Sequence, residues 1–196
     1  MRAALICLSI LIAGCGTTDP TGVAVSPAHA ADARVASAPR IADAPATPAA
    51  PGSSLPAFAC ADTGGGKTGV ANVVAARVAP SLGYDRFVLQ FDSLVPSYTV
   101  KRQATPIFPN GPSGQTITLS GTSGVLVHVE SATGANTFTG PTDFTHAEYP
   151  VLKEARQTED FEGHVSWGLG LGRDACMRTF TLSGPARLIV DFSTAG

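Results

Sequence analysis

RFVLQF (residues 86–91) and RLIVDF (residues 187–192) write one six-position pattern twice: Arg, three apolar residues, a polar residue, Phe. At the two-residue period of a strand, Phe87, Leu89 and Phe91 fall on one face, and Arg86, Val88 and Gln90 on the other. The second copy divides alike, with Leu188, Val190 and Phe192 opposite Arg187, Ile189 and Asp191. Each strand therefore has one strongly apolar face and one mostly polar face with a β-branched residue at its centre. That is the pattern of a strand buried on one side. A glycine-containing turn precedes each copy, SLGYD and LSGPA. Two such strands near the ends of one β domain predict two packed sheets, each contributing one of them as a central strand, with the apolar faces meeting in a common core.

The neighbouring sequence extends this all-β reading. Strand-length runs rich in β-branched and aromatic residues occur at 70–79, 84–91, 97–102, 115–120, 124–131, 152–157, 163–171, 177–183 and 186–192. Breakers separate them: SLG, NGPSG, TSG, ATGAN, TGP, EDFEG and SGP. No stretch keeps a 3.6-residue apolar period with caps, so the expectation is a β-sandwich of two packed sheets with little helix.

The N-terminal part has a different character. After Arg2, residues Ala3 to Ala13 form an apolar run ending in LIAGC. The run is too short to span a bilayer and suits a signal peptide core. LIAGC resembles the bacterial lipobox, in which the cysteine thiol receives a diacylglycerol and the chain is cut before it. This predicts a signal peptide over 1–14 and lipid attachment at Cys15, with the alternative that this is an ordinary secretory signal. Residues 16–57 hold 13 Ala and 7 Pro and no aromatic residue; the first aromatic is Phe58. So little large apolar surface cannot offset the entropy of ordering, and scattered prolines break helices. Residues 15–57 are therefore expected to be a lipidated, disordered tether of roughly 35 Å mean reach. It lifts a single domain, 58–196, off the membrane's extracytoplasmic face.

Losing Arg2 takes the basic count from 13 to 12 against 15 acids, a net charge of −3 with no basic run. That balance argues against charge-driven binding of nucleic acid or another polyanion. With Cys7 removed and Cys15 lipidated, Cys60 and Cys176 remain, an even pair in a compartment that permits oxidation. The expectation is a disulfide between them; the alternative is two separate thiols.

GYDRFVLQFDSLVPSYTVK (83–101), TFTGPTDF (137–144) and EDFEGHVSWGLGLGRDACMRTFTLSGPARLIVDF (159–192) resemble, in this order, segments of the AMIN-like domain of bacterial lipoproteins. The resemblance covers about residues 68–193. It extends to the layout of lipobox, Ala/Pro-rich tether and β domain. ACMRTF departs from the pattern by placing a cysteine just before its strand. The resemblance implies the β-sandwich of AMIN modules, which bring envelope proteins to peptidoglycan or to wall assemblies and have no catalytic residues of their own. It implies a non-catalytic envelope lipoprotein that binds peptidoglycan or an envelope protein and needs no cofactor.

Motifs for chemistry fall short. DTGGGKTG (62–69) lacks the glycine a P-loop needs at position 61, which is Ala61, and no strand precedes it; it is expected to be a flexible loop. WGLGLG (167–172) has no following helix, so its glycines predict a bulge or the close approach of another backbone. His128, His146 and His164 lack metal-ligand spacing, and no metal site is expected. The acids Glu148, Glu154, Glu159, Asp160 and Glu162 cluster near FEG, which keeps a wall hydrolase as an alternative. A carrier of a small apolar ligand is another, and would need an oversized internal cavity. Trp167, the only tryptophan, is expected in the core, with a sugar-stacking platform as its functional alternative. Arg86 and Arg187 are the candidate contacts for peptide-stem carboxylates, with plain solvated charges as the alternative.

Overall fold

The computed structural model describes residues 54–196. The signal segment, Cys15 and the tether through residue 53 lie outside the described residues. In chain order the strands are β1 (Thr63–Gly65), β2 (Ala71–Ser81), β3 (Tyr84–Phe91), β4 (Tyr98–Gln103), β5 (Ile107–Pro109), β6 (Thr116–Thr118) and β7 (Ser123–Glu130). β8 (Ala132–Thr133), β9 (Asp143–Thr145), β10 (Leu152–Phe161), β11 (His164–Leu171), β12 (Met177–Ser183) and β13 (Ala186–Ser193) follow. A single 3-10 turn at Gly111–Ser113 is the helical element of the described residues.

Two sheets stack. One has the order β1-β4-β7-β11-β10-β9, the other β12-β13-β3-β2-β8, and β5 and β6 form a separate hairpin. All nine expected strands are present. The short β1, β5, β8 and β9 escaped the sequence reading because two or three residues carry no readable period. β10 runs on through the expected EDFEG breaker to Phe161. Its turn shrinks to Glu162 and Gly163, at φ 48° and 82°, the left-handed pair that a tight hairpin requires.

The inward faces are those the two-residue period assigns. Phe87, Leu89, Phe91, Leu188, Val190 and Phe192 are buried, and across from them lie Val125, Val127 and Val129 of β7 with Val165, Trp167 and Leu169 of β11. Each such side chain contributes about 1.5–3 kcal/mol by leaving water. Trp167 packs against Phe87 at a centroid distance of 5.4 Å, with Phe138 edge-on at 6.2 Å.

The placement of the two echoed strands corrects the expectation of one in each sheet. β3 and β13 are antiparallel neighbours in the same sheet, paired from Arg86↔Asp191 through Val88↔Ile189 to Gln90↔Arg187. The hexapeptides thus lie about a local two-fold at Val88 and Ile189. The apolar faces still share one core, side by side rather than across it.

One acid crosses between the sheets. Asp85 sits in phase with Phe87 and Leu89 and is fully buried. Its Oδ2 accepts the N–H groups of Val151 and Leu152 at 2.6 and 2.9 Å, tying β3 to the start of β10 in the other sheet.

Of the two readings of the WGLGLG glycines, a bulge or a close approach of another backbone, the structure shows a close approach, by a side chain at Gly168 and by backbone at Gly170. The β5–β6 hairpin lies over the outer face of the six-stranded sheet and buries Phe108 there. A methyl group on Gly168 would stand 2.7 Å from Phe108 Cδ2, and one on Gly170 would stand 2.2 Å from the Ser120 carbonyl oxygen. Glu154 fastens the hairpin by accepting both the N–H and the hydroxyl of Ser120 at 2.8 Å.

The GGGK segment is paired rather than loose, which corrects the flexible-loop expectation. Thr63–Gly65 bonds to β4, and Lys67 N–H donates to the Val95 carbonyl at 2.9 Å.

Candidate functional site

The outer face of the five-stranded sheet is ordered in cross-strand rows. The first row reads Ala79, Arg86, Asp191, Arg178 across β2, β3, β13 and β12. The second reads Arg77, Val88, Ile189, Phe180, and the third Ala75, Gln90, Arg187, Leu182. Four arginines and one acid thus share this face of a chain that is acidic as a whole.

In the first row Asp191 is fully buried between two guanidinium groups. Arg86 grips it through Nε at 2.6 Å and Nη2 at 2.9 Å, and Arg178 donates from Nε at 2.8 Å. The hydrogen bonds to Asp191 hold Arg86 above its ordinary pKa, against the opposing effect of burial. Aromatic rings line both cations. Arg178 stands 4.5 Å from the Phe58 ring centroid and 4.8 Å from that of Tyr84, and Arg86 stands 4.9 Å from Tyr84. Two cations on one carboxylate leave the row with one positive charge in excess.

The disulfide helps to build this row. Cys60 and Cys176 are bonded. Beside the bond, Ala59 and Met177 exchange backbone hydrogen bonds at 2.8 and 3.0 Å, which brings Phe58 against Arg178.

The second row is an apolar rib. Ile189 is only 1% exposed although it lies on the outer face, with Val88 and Phe180 as its cross-strand neighbours on either side. In the third row Arg187 donates to the Pro185 carbonyl at 3.3 Å and has no carboxylate partner among the described residues. Arg77 donates to Gln90 Oε1 at 2.7 Å and likewise meets no acid there. Arg77 and Arg187 are therefore the guanidinium groups with charge to offer, and their planar donors match carboxylates and phosphates.

Two sequence-named candidates change role. Arg86 is a candidate contact for outside carboxylates by sequence, but Asp191 takes the Nε–Nη2 edge of its guanidinium. Trp167, the candidate platform, is fully buried between Phe87, Phe138 and Phe144, so its ring presents no stacking surface. Arg187 stays on the open face, one strand away from Arg86 and two rows along. Arg77, Arg178 and Asp191 were missed. The signal for Asp191 was present: it occupies the position in RLIVDF that, in an antiparallel pairing of the echoes, faces the arginine of RFVLQF.

Three of the clustered acids, Glu154, Glu159 and Asp160, serve the fold. Asp160 accepts Thr133 Oγ1 and the Gly134 N–H, and Glu159 accepts the Ser166 hydroxyl at 2.9 Å. Glu148 meets His146 at 2.9 Å, and hydrogen bonds from its own backbone and from His146 lower its pKa. Ser166, its proton committed to Glu159, accepts from His128 Nδ1 at 2.9 Å, and the His128 ring stacks on His164 at 5.3 Å. Among the described residues no three His, Cys, Asp or Glu side chains form a metal-ligating group. The space between the sheets, where an apolar cargo would lie, is filled by Trp167, Phe87, Phe91 and Phe192.

The architecture is an all-β, disulfide-tied sandwich with a cationic sheet face. The AMIN-like domain family matches residues 71–194, more than half of the chain, and the protein belongs to that family. A search of curated proteins finds no match.

Proposed function

We propose that this protein is a non-catalytic envelope lipoprotein, anchored through Cys15, whose AMIN-like domain holds anionic cell-wall polymer, peptidoglycan first, on the arginine face of its five-stranded sheet. The observation that carries the reading is the pairing deficit on that face: Arg77 and Arg187 flank an apolar rib, and no acid neutralises either among the described residues. Stem-peptide carboxylates suit such guanidinium groups, and the rib gives the polymer a dry surface to lie on. Family membership supports the same reading, since AMIN modules resemble wall-targeting devices. Of the acids that could serve a hydrolase, Glu154, Glu159 and Asp160 are bound into the fold, which favours attachment over cleavage.

The test is co-sedimentation of the full-length chain, purified in detergent, with isolated peptidoglycan. Arg77→Ala combined with Arg187→Ala should release the protein at physiological salt, and added salt should do the same to the parent. A double variant that sediments like the parent would remove this face from the function. Glycan or peptide cleavage by the full-length chain would overturn the non-catalytic reading. Cys15→Ser should leave the protein unlipidated, and lipid labelling that persists in that variant would refute the anchor.

A further inference from the structure

Three long strands among the described residues outrun their outer neighbours, and two of them are protected. β2 pairs with β8 only at Ala71 and Asn72, but its remaining edge carries a bulge, Arg77 and Pro80. β10 pairs with β9 over Glu154–Arg156 and then carries a bulge, Glu159 and Asp160. Bulges, charges and prolines are the devices that keep edges from recruiting strands. β12 has none of them beyond Arg178. Its sequence there, TFTLS after Arg178, is uncharged, free of proline and strand-forming, and pairs in unbroken register with β13.

The phase of the open groups follows from one pairing. Met177 exchanges both of its backbone hydrogen bonds with Ala59, so at the two-residue period Thr179, Thr181 and Ser183 also direct N–H and C=O outward. Among the described residues no backbone group meets them. A cleft of about 360 Å³ adjoins this edge, walled by Thr181–Ser183 on one side and by Gly66, Lys67 and Ser93 on the other, with Leu94, Val95 and Ala186 at its apolar side. Lys67 is set there by the backbone. Gly66, at φ 100°, lies so close to Pro96 that a methyl group would stand 2.0 Å from its carbonyl oxygen. The Lys67 ammonium is exposed and has no acid partner among the described residues.

From this we infer that the edge of β12 from Thr179 to Ser183 takes up an extended peptide segment as an added strand. An acidic group of that peptide pairs with Lys67, and one of its apolar side chains enters the cleft against Leu94 and Val95. A peptide backbone supplies amides at the spacing the edge requires, which a glycan does not. The inference stands apart from the arginine face, since neither Arg77 nor Arg187 belongs to it.

A display library of random dodecapeptides, panned on the full-length chain in detergent and counter-selected on its Thr181→Pro variant, tests it. The Thr181 N–H has no partner to lose among the described residues, so proline on this edge should fold with an unchanged melting temperature while blocking an added strand. Enriched peptides should alternate apolar residues and carry Asp or Glu. N-methylation of alternate amides should weaken them by at least about tenfold, and Lys67→Gln by about fivefold. Arg77→Ala with Arg187→Ala should leave this binding intact. Failure of any sequence to enrich, or indifference of the enriched peptides to N-methylation, would overturn the proposal. A concentration-dependent dimer that Thr181→Pro dissolves would assign the edge to a second copy and overturn it equally.

Discussion

Arg86 and Asp191 face each other across the β3–β13 pair, the first residue of one echoed hexapeptide bonded through two nitrogens to the fifth residue of the other. The repeat in the sequence therefore has a structural use. Two similar strands laid antiparallel place each arginine opposite the other's polar residue, and the same alternation fills the core beneath.

The two echoed arginines should respond differently to removal. Arg86→Ala leaves the buried Asp191 with Arg178 alone and should cost about 2–4 kcal/mol. Arg187→Ala removes a charge with one long bond to a carbonyl and should stay within about 0.5 kcal/mol of the parent. Urea titration of both variants decides this, and equal midpoints would refute the assignment of Arg86 to the fold.

Asp92 supplies an acid-sensitive clamp. Its Oδ1 accepts the Asn72 N–H at 3.0 Å and its Oδ2 accepts Asn72 Nδ2 at 2.8 Å, and these bonds lower its pKa below the ordinary carboxylate value. A depressed folded pKa means that the clamp stabilises above the unfolded value, near about 3.9, and that its contribution is lost as pH falls through the lower folded value. Asp92→Asn should therefore destabilise at neutral pH and flatten the acid limb of a stability–pH profile. An unchanged acid limb would show the clamp to be without effect.

Gly168 is where the β5–β6 hairpin rests on the sheet. Alanine there would drive its methyl group into Phe108, whose ring has nowhere to go without lifting the hairpin. The expected cost is about 1–3 kcal/mol, accompanied by faster hydrogen exchange over residues 105–120. If the parent and the variant exchange alike in that segment, the glycine is not what seats the hairpin.

The Cys60–Cys176 bond closes a sequence separation of 116 residues. Its loss through Cys60→Ser should lower stability by about 2–5 kcal/mol. Because the bond also sets Phe58 over Arg178, the variant should loosen the aromatic lining of the Asp191 row. Alkylation without reduction should modify neither cysteine in the folded domain, and mass spectrometry that finds both modified would sink the bond.

The sequence by itself determined what depends on local period and composition. Alternation placed Phe87, Leu89, Phe91, Leu188, Val190 and Phe192 in the core, because a strand's side chains alternate whatever the strand pairs with. Counting made Cys60 and Cys176 the expected partners with two separate thiols as the alternative, and the glycines of WGLGLG signalled a bulge or a close approach without saying of what. Tertiary structure decided everything that depends on which strands meet. Register is set by contacts far apart in the chain, which a six-residue pattern does not encode. So the sequence could not place the two echoes as neighbours in one sheet, bind Arg86 to Asp191 while leaving Arg187 open, or bring Lys67 beside the bare edge of β12. Asp85 marks the boundary between the two. It shares the phase of Phe87, a signal not taken up from the sequence, and only the approach of Val151 and Leu152 from the opposite sheet supplied the donors that make its burial stable.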